Sequence, residues 1–202
     1  SAAVTGVDVS DFSLTATGLT GAAVTGVSGS GNTYSVSVST GSGDGTLRLD
    51  VVDDDSIINS SSTPLGGAGA GNGNFTSGQV YTIDKTPPQL SISSTAVDPT
   101  NQSPIPVTFN FTEPVTGFTL SDIVVSNGNA SNFAGTGSSY SANITPVANG
   151  LVSINVPANI AIDTAGNGNL AAPQFDIRYD NIPPTVTVAK AAGQDDPTAN
   201  SP

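Results

Sequence analysis

The sequence predicts an all-β protein made of tandem β-sandwich repeats, and three observations support this. Apolar residues alternate with small or polar ones, as in Tyr34, Val36 and Val38 and again across Ile105–Phe111. This period of two is the pattern of a half-buried strand. Turn-forming residues separate the short apolar runs, with 23 Gly and 14 Pro in 202 residues. The third observation is an internal repeat.

The repeat is clearest at two proline pairs. The segment Ile-Asp-Lys-Thr-Pro-Pro at 83–88 returns as Tyr-Asp-Asn-Ile-Pro-Pro at 179–184, a spacing of 96 residues between Pro87 and Pro183. Gly-Asn-Gly-Asn at 71–74 likewise returns at 166–169. A fixed period of this length is typical of a domain array. We therefore divide the chain into an incomplete repeat (1–83), a complete repeat (84–180) and the N-terminal strand segment of a third repeat (181–202).

Seven short strands are expected in the complete repeat. In chain order they are 89–93, 105–111, 115–120, 123–126, 138–145, 151–156 and 174–179. Seven strands in about 96 residues, with turns at close intervals and no helical periodicity, fit an immunoglobulin-like sandwich. A closed barrel is the alternative.

The ends of the sequence are out of phase with the repeat. Aligned to the complete repeat, Pro202 corresponds to Pro104 and Ser1 to Thr112. The first domain is therefore expected to lack its N-terminal strands, and 185–190 to be a lone first strand of a following domain. The missing parts are expected from outside this sequence. They come either from a continuous polypeptide or from strand addition, in which the tail of one copy completes the first domain of the next.

Composition excludes several classes of function. The net charge is −12, which disfavours nucleic acid and anionic membrane as partners. No apolar run approaches the length of a membrane span, so no membrane insertion is expected in this segment. The absence of Cys and His removes thiol chemistry, zinc sites and His-dependent catalysis. We therefore expect no enzyme.

Several motifs together resemble the bacterial Ig-like repeats of large surface adhesins and cell-surface fibre proteins. They are Asp-x-x-Pro-Pro from Asp84, Asp-Pro-Thr from Asp98, Phe-Thr-Glu-Pro-Val-Thr-Gly-Phe at 111–118 and Asp-Thr-Ala-Gly-Asn-Gly-Asn from Asp163. The resemblance implies a β-sandwich, export to the cell surface, tandem copies and joints stiffened by calcium. The first repeat departs from the pattern, because it lacks Phe-Thr-Glu-Pro and carries a Gly/Ser-rich insertion before Gly71.

Two sets of residues are candidate calcium ligands, since Ca²⁺ prefers carboxylate and carbonyl oxygens. The first set lies on loops that share the Gly-Asn-Gly-Asn motif: Asp163, Asn167 and Asn169 in the complete repeat, and Asp53, Asn72 and Asn74 in the first. The second lies at the joints: Asp84 and Asp180 beside the proline pairs, with Asp98, Asn101, Asp195 and Asp196 in the following loops. The alternative for both sets is that Asp and Asn only cap turns.

Glu113, the single Glu among 16 acidic residues, raises a different possibility. The adhesin resemblance implies that an acid of this kind assists a Lys–Asn isopeptide bond in some sandwiches. Lys85 and Lys190 both lie at joints rather than within a strand, which argues against such a bond here.

The leading functional hypothesis is a structural rod on the bacterial surface. Proline pairs restrict the backbone and act as short, stiff joints. Its partners are then neighbouring copies or repeats, with a cell-surface receptor or glycan as a further partner. The alternative is a carbohydrate- or protein-binding module that uses loops such as 57–74. The strand positions of Tyr34, Tyr81, Tyr140 and Tyr179 favour the rod, because a binding loop would be expected to gather aromatic residues.

Overall fold

The computed structural model describes residues 2–189, which form short antiparallel strands joined by turns. The strands are β1 (Val4–Thr5), β2 (Phe12–Thr17), β3 (Ala23–Ser30), β4 (Thr33–Ser39), β5 (Gly45–Val51), β6 (Ile58–Asn59), β7 (Val80–Ile83), β8 (Leu90–Ser94), β9 (Ile105–Phe111), β10 (Val124–Ser126), β11 (Gly128–Thr136), β12 (Ser139–Pro146), β13 (Gly150–Asn155) and β14 (Phe175–Tyr179). Two 3-10 turns, Val9–Asp11 and Leu120–Asp122, complete the regular structure of this range. Neither is long enough to cross a membrane, and no other helix occurs within it.

Strands β8 to β14 form a sandwich of two sheets. One sheet has the order β11-β12-β9-β8 and the other β10-β13-β14. Between them lies a core whose members include Ile105, Phe109, Ile144, Val152 and Ile154, all fully buried. The chain is therefore all-β, and this part has the seven-strand arrangement of an immunoglobulin-like sandwich.

Alternation in β9 explains how this core forms. Ile105, Val107 and Phe109 occupy every second position and are at most 1% exposed. They pair in register with Ile144, Ala142 and Tyr140 of β12, respectively. Because side chains on one face of paired strands lie directly opposite one another, two alternating sequences suffice to build a continuous apolar layer.

One strand prediction for the complete repeat was wrong, and one strand was not predicted. Residues 115–120 form no strand: Val115 and Phe118 are both buried but three positions apart, and Gly117 between them has φ +93°. Conversely, β11 was missed. A bulge shifts its register between Ser131 and Ala134, so its partly buried Ala130 and Phe133 are also three positions apart. A bulge interrupts the period of two on which the prediction depended.

Residues 2–83 contain the same hairpin and three-stranded sheet but no counterpart of β8 and β9 within the described range. The hairpin is β3-β4 and the sheet is β2-β5-β7, with β1 and β6 paired separately. The Tyr34 hydroxyl donates to the Val4 carbonyl at 2.9 Å, as the Tyr140 hydroxyl donates to Val115 at 3.1 Å. The apolar side chains of β4, Tyr34, Val36 and Val38, are only half-buried, and no strand pairs with the outer edge of β4 in the described part of the chain.

Residues 181–189 follow β14 and pair with no strand among the described residues. Val186 is 87% exposed and Val188 is 95% exposed. The lone strand expected at 185–190 extends to Lys190, which lies outside the described residues. The domain boundaries at 83–84 and 180–181 remain predictions.

Candidate metal centre at the junction

Three carboxylates from separate parts of the chain meet beside the first proline pair. Asp84 follows β7, Glu113 follows β9, and Asp163 lies in the loop after β13. One oxygen from each lies within 4.8 Å of the others. Two ligands bound to the same Ca²⁺ at about 2.4 Å are separated by at most about 4.8 Å. The spacing therefore fits three ligands of one ion.

The loop around Asp163 is held by its carboxylate. Asp163 is 4% exposed and its Oδ1 accepts the backbone N–H groups of Ala165 and Asn167, both at 2.8 Å. Burial disfavours the charged form, but these hydrogen bonds and that from the Asn167 amide outweigh it and lower the pKa of Asp163. Asp163 is therefore ionised at neutral pH and available as a ligand.

Asn167 connects the loop to the joint. Its Nδ2 donates to Asp163 Oδ2 at 2.9 Å and to the Asp84 carbonyl at 3.1 Å. The structure thus brings together the predicted loop set and the predicted joint set, which the sequence presented as separate sites. Asp84 also accepts the Thr86 N–H at 3.0 Å, so it caps the turn into the proline pair as well.

Asn169 has a structural role in the same loop. It is 1% exposed, and its Oδ1 accepts the N–H groups of Ile160 and Ala161 at 3.0 and 2.9 Å. Its Nδ2 donates to the Pro157 and Leu170 carbonyls. With the side chain committed to four backbone groups, Asn169 ties the loop to the sandwich.

Glu113 adds a third carboxylate to the like charges of Asp84 and Asp163. The side chain is half-buried, and desolvation together with the neighbouring charges of Asp163, Asp84 and Asp44 raises the pKa of Glu113. Asp44 belongs to the turn before β5 and is itself bound to the joint. It accepts the Thr86 hydroxyl and the Lys85 N–H, the latter at 2.5 Å, and these hydrogen bonds lower the pKa of Asp44.

The donor set suits a hard cation. All the side-chain ligands are carboxylate oxygens, which Ca²⁺ prefers, whereas zinc sites are built from thiolate and imidazole ligands. The residues present therefore fit the calcium that the sequence suggested, and Asp84, Glu113 and Asp163 would be its direct ligands. Oxygens from neighbouring groups or water would be needed to complete six to eight ligands.

The second joint has the same turn but a different environment. Asp180 Oδ1 accepts the Ile182 N–H at 2.9 Å, as Asp84 does with Thr86. Asn149 occupies the place of Asp44 and accepts the Asn181 N–H at 2.9 Å. Asp98 accepts the Arg178 N–H at 2.8 Å. Among the described residues no third carboxylate joins Asp98 and Asp180, and Asn101 is exposed nearby in the same surface depression.

The acidic loop of the first repeat is organised by turn hydrogen bonds. The buried Asp53 accepts the Gly73 N–H at 2.9 Å, and Asn74 Oδ1 accepts the Asp53 N–H at 2.7 Å. Asn72 donates instead to the carbonyls of Gly67 and Ala68. Asp53 and Asn74 are thus brought together, while Asn72 faces another turn. Asp195 and Asp196 lie outside the described residues.

Sequence reasoning did not include Glu113 or Asp44 among the candidate ligands. Glu113 was considered only as an acid that could assist an isopeptide bond, although its position just after β9 places it beside the joint. Asp44 is not part of a repeated motif, since the equivalent position in the second repeat is Asn149. Only the three-dimensional packing of the turn before β5 against the linker reveals it.

The sandwich topology and the acidic joint define an immunoglobulin-like module. Residues 84–179 match the family model described as a bacterial Ig-like domain, which supports a domain of this family in that part of the chain. Such domains are typical of cell-surface proteins, so the match indicates a surface-associated module. No curated protein and no solved structure gave a match.

Proposed function

We propose that this chain is part of the structural repeat region of an extracellular bacterial adhesin or surface filament. In this proposal its domains form a stiff rod, and calcium fixes the angle at the joint around Asp84. Neighbouring units are connected through the polypeptide itself or by strand complementation. The protein catalyses no reaction, and its partners are neighbouring repeats or copies and a cell-surface receptor or glycan.

The convergence of Asp84, Glu113 and Asp163 is the observation that carries this proposal. Asp84 lies before the proline pair, whereas Glu113 and Asp163 belong to the sandwich after it. A cation bound to all three would hold the linker against that sandwich. Asp44 already binds Lys85 and Thr86 from the other side, so the linker would be fixed to both domains. Without a cation, the like charges repel one another and favour an open joint.

Calcium titration with two readouts tests the proposal. Because a ligand of the folded state stabilises it by mass action, Ca²⁺ should raise the melting temperature relative to chelator. Small-angle X-ray scattering should show a narrower distribution of particle dimensions with Ca²⁺, as expected for a fixed joint. The Asp84→Asn variant should lose both responses, whereas Asp176→Asn removes the same charge from an exposed position on β14 and should keep them. A wild-type protein indifferent to Ca²⁺ contradicts the metal centre.

A groove on the second domain favours the alternative of a binding module. It has a volume of about 610 Å³ and lies along β8 and the segment before β14, with Leu90, Ile92, Leu170 and Phe175 among its lining residues. Concave, mainly apolar sites of this size are typical ligand sites. Glycan-array binding that is lost on Leu170→Asp would support this alternative over a purely structural role.

A further inference from the structure

Each linker, the four residues from the joint Asp to the first proline, is held by the domain before it through the same contact. In the first joint Asp44 Oδ1 accepts the Lys85 N–H at 2.5 Å. In the second joint Asn149 Oδ1 accepts the Asn181 N–H at 2.9 Å. A carboxylate and an amide have an acceptor oxygen in common, so the contact needs an acceptor and not a negative charge. We call this contact the clasp.

The register of the sheets explains why the clasp recurs. Gly45 begins β5 and pairs with Ile83 at the end of β7. Gly150 likewise begins β13 and pairs with Tyr179 at the end of β14. In an antiparallel pair, the residue before one strand lies opposite the residue that follows its partner. The clasp residue precedes the glycine in each repeat, so the fold itself places it beside the linker.

Two further hydrogen bonds strengthen the clasp of the first joint. The Thr86 hydroxyl donates to Asp44 Oδ2, and Lys85 Nζ donates to the Gly41 carbonyl in the same turn between β4 and β5. Hydrogen bonds that involve an ionised group are stronger than neutral ones, and each of these does. Asp84 accepts the Thr86 N–H at 3.0 Å, which fixes the linker conformation as well. Lys85 and Thr86 are therefore bound to the first domain by its own side chains and backbone.

The second domain holds the chain from Pro88 onwards. Pro88 is fully buried, and its carbonyl accepts the Leu170 N–H at 3.0 Å. Thr86 and Pro87 connect this anchor to the clasp. The ring of a proline fixes its φ, and the residue before a proline is confined to extended conformations. Bending between the domains is thus restricted to the Thr86–Pro87 pair, which we call the pivot.

We propose that Asp44 and Asn149 are positioning residues that fix each linker to the preceding domain without metal, so that the first joint bends at the pivot and calcium acts only across it. The position of the ion rests on the proposed function, whereas the clasp does not. The second joint carries the same clasp, with Ile182 and Pro183 at the place of the pivot. A joint of this kind changes its angle at one defined place.

The carboxylates of the metal centre lie on both sides of the pivot. Asp84 precedes it, whereas Glu113 and Asp163 belong to the domain that follows. The Asn167 amide also donates across the pivot, to the Asp84 carbonyl at 3.1 Å. Because the clasp holds the residue next to Asp84, it sets the position of Asp84 relative to the first domain. Calcium bound to all three carboxylates would therefore join the second domain to a linker that the first domain already holds.

Amide hydrogen exchange in chelator, followed by NMR, tests the clasp separately from the metal. The Lys85 and Asn181 amides should be protected in the wild type. Asp44→Ala should make the Lys85 amide exchange about ten-fold faster or more and leave Asn181 unchanged, because only the first acceptor is lost. Asp44→Asn is the matched control: it keeps the acceptor oxygen, as Asn149 does, and should keep the protection. Fast exchange of Lys85 in the wild type, or full protection in Asp44→Ala, overturns the proposal.

Distances between spin labels on the two domains test where the joint bends. The chain contains no Cys, so Ser28→Cys and Ser141→Cys, at exposed positions of β3 and β12, allow labelling at two defined sites. Double electron–electron resonance should give a distance distribution that narrows with Ca²⁺ in the wild type and in Asp44→Asn. The distribution should stay broad in Asp44→Ala, because the linker is then free of the first domain. Equal narrowing in Asp44→Ala overturns the proposal.

A variant of the metal centre separates failure of the clasp from failure of the calcium joint. Glu113→Gln should keep a broad distance distribution in Ca²⁺ and yet retain the protection of the Lys85 amide. Loss of that protection in Glu113→Gln would contradict a clasp that acts without metal. A wild type that protects Lys85 in chelator but does not narrow with Ca²⁺ contradicts the calcium joint and supports the clasp.

Discussion

At the scale of single residues, Glu113 lies close to two other carboxylates of the same charge. It is half-buried and faces Asp84 and Asp163, and Asp44 adds further negative potential. Desolvation and repulsion both disfavour its charged form, which is why its pKa is raised. A divalent cation bound between these three carboxylates would relieve this repulsion.

Replacement of Glu113 by Gln should therefore have effects of opposite sign with and without calcium. In chelator, Glu113→Gln should raise the melting temperature, because Gln has a similar size and shape but removes the repulsive charge. In excess Ca²⁺ the variant should melt below the wild type, because a ligand is lost. Differential scanning calorimetry in both conditions measures this crossover, and Asp176→Asn should show none. A variant less stable in both conditions would mean that Glu113 serves packing alone.

The hydrogen bonds to Asp50 should make the stability of the first domain depend on pH in the acid range. Its carboxylate accepts hydrogen bonds from Arg48 Nε at 2.6 Å and Thr15 Oγ1 at 2.6 Å, and these lower its pKa below the ordinary value of 3.8. A lowered pKa in the folded state stabilises the protein above the ordinary value, and this contribution is lost as pH falls through the folded pKa. The Asp50→Asn variant lacks it at every pH.

The wild type should therefore be more stable than Asp50→Asn near neutral pH, and the difference should shrink below about pH 4. Urea unfolding followed by the circular dichroism of the strands, repeated between neutral and acid pH, measures the difference. Thr187→Asp is the control variant, because residue 187 lies in a segment that pairs with no strand among the described residues. A constant difference across the pH range would show that the ion pair is not the cause.

The extent to which the metal site could be predicted also depends on single residues. Asp84, Asp163 and Asn167 were predicted because repeated motifs marked them, and the structure brings these three together. Glu113 and Asp44 were not, because contacts between a strand end, a turn and a linker leave no periodic signal. Asn169 was selected on its oxygen-bearing side chain alone, but burial and four hydrogen bonds assign it to the loop framework.

At the scale of elements, the sequence predicted strands wherever alternation is continuous and failed where the backbone departs from it. β9 was located at its observed bounds, since Ile105, Val107, Phe109 and Phe111 alternate without a break. β11 was missed because its bulge and its small residues obscure the period. Its end is also controlled by backbone rather than side chains: Gly135 and Gly137 both have positive φ, at +128° and +68°.

These two glycines allow a matched test of how β11 turns into β12. A Cβ on Gly135 would lie 2.4 Å from the Ser139 carbonyl oxygen, whereas one on Gly137 meets nothing within 4 Å. Gly137→Ala should thus cost only the conformational penalty, about 1–2 kcal/mol. Gly135→Ala should cost more, because the backbone of β12 must also move. Chemical denaturation of both variants checks the order, and equal costs would contradict the close approach.

At the scale of the whole molecule, the two domains differ in how completely their apolar residues are buried. The core of the second includes sixteen buried apolar residues, among them Ile105, Ile144 and Val152. In the described part of the first domain, only Leu47 and Ile57 reach the same degree of burial. Since apolar burial is the dominant favourable term in folding, the shared topology does not imply equal stability.

Amide hydrogen exchange on dilute, monomeric protein should resolve this difference. We compare the β4 amides that bond to β3 with the β12 amides that bond to β11, because these pairs are equivalent and neither faces the open edge. The β4 set should exchange roughly 100-fold faster, corresponding to about 2.7 kcal/mol less protection, since its hairpin opens without disrupting a complete core. Equal protection of the two hairpins in the monomer would show that the uncovered face of the first domain does not limit its stability.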